Sequence, residues 1–93
     1  MSDEVGYTQG VRIAASALVR NGPIMLTGMT FESDGSGAGY VKVYDAATAA
    51  GDPVYHIVIP NDAAFRHSVS FRLHLGTGCY VAVSKAVAVV LYS

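Results

Sequence analysis

The sequence predicts an all-β fold: an antiparallel β-sandwich, jelly-roll-like, of about six to eight short strands behind an extended N-terminal arm. Three observations predict it. Apolar and polar residues alternate with a period of two along most of the chain, the spacing at which strand side chains point to opposite faces. Clusters of Gly, Pro, Asn and Asp divide these runs at short intervals. The 93 residues suffice for one domain and no more.

The elements follow in order. Residues 1–10, ending in Tyr7-Thr8-Gln9-Gly10, lack periodicity and read as the arm; residues 11–93 form the single sandwich domain. Val11, Ala14, Ala15, Leu18 and Val19 fit a helical stripe. The same stretch also alternates as Val11, Ile13, Ala15, Ala17 and Val19, and Asn21-Gly22 is a hairpin-type turn, so a strand is preferred. Ile24, Leu26, Gly28 and Thr30 then alternate with Met25, Thr27, Met29 and Phe31. Ser33 to Gly39 reads as a hairpin loop, and Tyr40 to Asp45 as a strand with valines on one face and Tyr and Lys on the other. Asp45 to Gly51 is a connection with room for one helical turn, capped by Asp45 and Gly51. Val54, His56 and Val58 alternate with Tyr55, Ile57 and Ile59. After Pro60-Asn61-Asp62, the residues Val69, Phe71, Leu73 and Leu75 oppose Ser70, Arg72 and His74, the pattern of a half-buried strand. Gly76-Thr77-Gly78 separates this run from Cys79 to Val83, and Val87 to Tyr92 closes the chain.

Composition narrows the function classes. Only 14% of residues are charged, 52% are hydrophobic and the net charge is −1, against about 25% charged in ordinary soluble domains. Weak charge repulsion and abundant apolar surface point to a component that is covered by copies of itself or by a larger assembly. The six Lys and Arg are dispersed, as Arg12, Arg20, Lys42, Arg66, Arg72 and Lys85, so no nucleic-acid partner is expected. The longest apolar run, Val81 to Leu91, is too short for a membrane helix and carries Ser84 and Lys85. Met1-Ser2-Asp3-Glu4 is acidic and lacks an apolar signal core, and a single cysteine forms no internal disulfide; synthesis in a cytoplasm is expected.

No catalytic, cofactor-binding or metal-binding residue is assigned. His56, His67 and His74 lack the close pairing of zinc ligands and read as surface or strand-face residues. Asp34-Gly35-Ser36-Gly37-Ala38-Gly39 lacks the Lys and the following helix of a phosphate loop. Asp34, Asp45, Asp52 and Asp62 lie in separate turns, where Asp is favoured because it bonds nearby backbone. Cys79 alternates in phase with Val81 and Val83, which marks a buried, inert thiol, and Glu4 and Glu32 have no partner suited to acid–base work. The chain is therefore expected to be no enzyme. Tyr40, Tyr44 and Tyr55 sit on strand faces opposite apolar ones, as core caps, as a subunit contact or as a sugar platform.

From Ile24 to Tyr92 the order of residues resembles a family of small tailed-phage virion proteins. The resemblance rests on a strand leading into a Gly/Ser loop and on Val41-Lys42-Val43-Tyr44-Asp45 followed by the small residues Ala46 to Gly51. An apolar strand, Gly78-Cys79-Tyr80-Val81 and a Val-rich strand ending in Tyr92 complete it. The family usually has Leu where Cys79 stands. The resemblance implies a jelly-roll-like sandwich on a phage particle: a head decoration or cement protein, often trimeric, contacting the major capsid protein or another virion protein. The alternative is a phage fibre or spike module that holds carbohydrate through its tyrosines. On either reading the chain is assembled in the host cytoplasm and resides in the virion.

Overall fold

A computed structural model describes residues 9–93, which form eight antiparallel strands and no helix. The strands are β1 (Gln9–Ile13), β2 (Ala17–Arg20), β3 (Ile24–Ser33), β4 (Gly39–Tyr44), β5 (Tyr55–Ile59), β6 (Arg66–Leu75), β7 (Cys79–Ser84) and β8 (Ala86–Tyr92). They form two four-stranded sheets, ordered β1-β8-β3-β6 and β2-β7-β4-β5. Every connection except β4–β5 passes from one sheet to the other. Two packed sheets with this order make an antiparallel jelly roll, the class that the alternation predicts.

Between the sheets lies one core. Its fully buried side chains include Leu26, Met29 and Phe31 of β3, Val41 and Val43 of β4, Ile59 of β5, Leu75 of β6, Cys79 and Val81 of β7, and Val90 of β8. Tyr55 points inward as well, stacked on Phe31 at 5.9 Å and edge-on to Phe71 at 5.4 Å. This aromatic trio joins β5 of one sheet to β3 and β6 of the other. Tyr55 is thus a core residue and does not share an outer face with Tyr40 and Tyr44.

Several local expectations change. The sandwich takes in Gln9 and Gly10, which the sequence assigned to the arm. They pair with Tyr92 and Leu91, and a Cβ on Gly10 would lie only 3.2 Å from Leu91 Cδ2. The rest of the expected arm, residues 1–8, lies outside the described residues. The run read as one strand from Val11 to Val19 is two strands in different sheets, broken at Ala14-Ala15-Ser16. There the Ser16 hydroxyl accepts from Val83 N–H (3.0 Å) and faces Val83 C=O (3.4 Å), taking the place of a backbone rung. Asn21-Gly22 and the 33–39 loop are corners between sheets and not hairpins, since each joins strands of different sheets.

Strict alternation also places Leu26 and Phe31 on opposite faces, yet both are fully buried. A register shift between Leu26 and Gly28 reverses the phase of β3 and turns Met29 and Phe31 inward. No helical turn forms after Asp45; its carboxylate instead accepts from Gly76, Thr77 and Gly78 N–H, at 3.3, 2.8 and 3.3 Å. Asp34 and Asp62 bond backbone two residues on, as turn aspartates do.

Candidate interaction face

With valines 41 and 43 turned into the core, β4 must present Tyr40, Lys42 and Tyr44 outward. The register then defines three rows across the outer face of the β2-β7-β4-β5 sheet. Leu18, Tyr80 and Tyr44 form one row, and Ala82, Lys42 and His56 the next. Ser84, Tyr40 and Val58 form the third. Val54 stands in phase with His56 and Val58, its N–H bonded to Val43 C=O at 2.7 Å.

All four large hydrophobic residues that the described part of the chain exposes belong to this face: Leu18 at 43%, Tyr40 at 37%, Val54 at 45% and Val58 at 66%. Tyr44 is buried there against Tyr80, with ring centroids 6.4 Å apart, so Tyr40 is the tyrosine left open of the pair. Lys42 is the face's fixed charge among the residues of the three rows, and its ammonium lies 4.6 Å from the Tyr40 ring centroid. That cation–π contact lets the Lys stem lie over apolar surface while its charge is partly satisfied. His56 meets Tyr40 edge-on at 6.5 Å.

The opposite outer face differs in kind. On β3 and β6, Glu32 pairs with Arg66 at 3.3 Å and Thr30 with Ser68 at 3.2 Å, and Ser70, Arg72 and His74 continue the polar row. That outer face is therefore polar along β3 and β6, with Val87, Val89 and Leu91 of β8 beside them, while the exposed large apolar residues gather on the other face. Monomeric soluble proteins rarely expose contiguous apolar patches beyond a few hundred square ångströms; larger ones mark interaction sites.

The histidines do not converge: His56 lies on β5 and His67 and His74 on β6, in different sheets. Among the described residues no group of three His, Cys, Asp or Glu is close enough to hold a metal ion. Cys79 is fully buried, and burial pushes its thiol up to about 11, which keeps it protonated and unreactive at neutral pH. Sequence reasoning found Tyr40 and Tyr44 but missed Leu18, Val54 and Val58. The alternation of β5 is apolar on both faces and does not say which face is inside. Compared with known proteins, the chain matches no protein-family model, no curated protein and no solved structure.

Proposed function

We propose that the chain is a non-enzymatic structural subunit of a tailed-phage virion, a head decoration or cement protein that closes into a trimer and clamps adjacent capsid subunits. The observation that carries this reading is the gathering of Leu18, Tyr40, Val54 and Val58 on one sheet face. A face of this kind is covered in assembly, each square ångström of apolar burial contributing about 25 cal/mol before association costs. Its occupant here is a second copy of the chain, meeting head to tail so that three copies close a ring. The architecture supports the reading, since jelly rolls serve as coat subunits, although they also serve other functions. The residues of the phage resemblance fall at structural positions: Val41 to Asp45 is β4 and its turn, and Gly78 to Val81 opens β7.

Light scattering during size-exclusion chromatography tests it. The expected mass is three times 9.7 kDa, and Val58→Glu, at the most exposed apolar position, is expected to give folded monomer. A wild-type monomer that also fails to cosediment with tailed-phage heads stripped of decoration protein would overturn it. Tyrosine emission that responds to a glycan, and ceases to respond in Tyr40→Ala, would favour the carbohydrate-holding fibre module instead.

A further inference from the structure

The four sheet edges are guarded unequally. β1 and β2 have five and four residues, and β5 has five, bracketed by Pro53 and Pro60. Short strands and prolines are common means of keeping an edge from pairing. β6 has neither: it runs ten residues, from Arg66 to Leu75, and bonds β3 alone. Its alternation holds along the strand, with Val69, Phe71 and Leu73 half-buried and Ser70, Arg72 and His74 exposed. Ser33 N–H bonds Phe65 C=O at 3.2 Å, so Phe65 turns its backbone to β3. Successive strand residues turn their backbone groups to opposite edges, so those of Arg66, Ser68, Ser70, Arg72 and His74 face away from β3.

A strand added at this edge meets two demands. Toward the core it must be apolar, to cover Val69, Phe71 and Leu73, which pack on the core without being fully buried. Toward the outer face it must suit Arg72, whose guanidinium has no ion-pair partner among the described residues, Arg66 being the one held by Glu32. Residues 1–8 of the chain meet both. Val5 and Tyr7 stand two apart, in one strand phase, and Glu4 stands in the other. Asp3 shares the phase of Val5 and falls toward the end of such a strand. Eight extended residues span about 26 Å, within the length of β6. The donor is a second copy, because β1 lies at the opposite edge of the sheet. From β1 to the position beside β6 is four strand spacings, about 19 Å, and the crossing would consume about six of the eight residues.

We propose that residues 1–8 of a second copy of the chain add a strand to the outer edge of β6, with Val5 and Tyr7 against Phe71 and Leu73 and with Glu4 facing Arg72. Main-chain bonds hold such a strand, and its alternate side chains select the site. The contact is on the other sheet from Leu18, Tyr40, Val54 and Val58, so it does not depend on the trimer interface. Mixing isotope-labelled full chain with unlabelled full chain that carries a nitroxide at Ser2→Cys tests it. Cys79 is fully buried, which leaves the nitroxide one attachment point. Paramagnetic broadening of the β6 amides is expected in the wild type and in Val58→Glu alike, so loss of the trimer and loss of this contact are read separately. Glu4→Lys in the nitroxide copy is expected to cut the broadening severalfold, and Arg72→Glu in the observed copy to restore it. Absence of broadening at β6, or broadening indifferent to Glu4→Lys, would overturn the proposal. Broadening seen only when nitroxide and isotope share one molecule would also sink it, since the added strand would then come from the same chain.

Discussion

Asp45 ties two distant turns together through one carboxylate. The Thr77 N–H, helped by those of Gly78 and Gly76, holds its pKa below the ordinary value of 3.8. A carboxyl depressed on folding contributes stability above its unfolded pKa, and that stability is lost as pH falls through the lower folded value. Asp34, depressed by the Ser36 hydroxyl and N–H, acts in the same direction. The urea midpoint is therefore expected to fall as pH drops below about 4, and to fall less steeply in Asp45→Asn. Gly39 is a residue of another kind. Any Cβ there would overlap the Ser84 backbone carbonyl, which belongs to the neighbouring strand and has no flexible end to give way. Gly39→Ala is expected to lower unfolding stability by about 3 kcal/mol, measured by urea denaturation, because backbone must shift to admit the methyl group.

At the scale of elements, the sequence was most legible where one face alone is apolar. β6 and β4 were read with their inward residues correct, Val69 to Leu75 and Val41 with Val43, because a period of two has only one apolar phase there. Legibility failed where the phase changes inside a strand. Thr27 and Gly28 interrupt β3, but Ile24, Met25 and Leu26 are apolar in both phases, so the reversal that buries both Leu26 and Phe31 is hidden in the pattern. It failed again at Ser16, whose hydroxyl substitutes for a backbone rung and conceals the division of β1 from β2. Of the two faces described, the tyrosines on β4 were visible in advance. Leu18, Val54 and Val58 were not, since β2 and β5 carry apolar residues in both phases and do not show which side is inside. The revised start of β1 also has a measurable consequence. Deleting residues 1–10 removes the rungs of Gln9 and Gly10, whereas deleting residues 1–8 leaves both in place. The longer deletion is expected to be less stable than the shorter by about 1–3 kcal/mol in chemical denaturation, the worth of the lost backbone bonds and the packing of Leu91.

For the whole molecule, the contrast between its two outer faces organises what it can do. An apolar face can be committed to neighbours while a polar face, with its ion pair and hydroxyl ladder, stays in water. Function then lies in sites carried by the sandwich, with the architecture supplying rigidity. The cross-sheet wiring bears on how the chain folds. Only β4 and β5 are both consecutive and paired, and β1 pairs with β8 alone. Neither sheet closes early in folding, because β1 waits for β8 and β2 for β7, and long loops must close before their contacts form. Such a chain folds from the unfolded state as one late event, so its apolar strands are open to one another before the core closes over them.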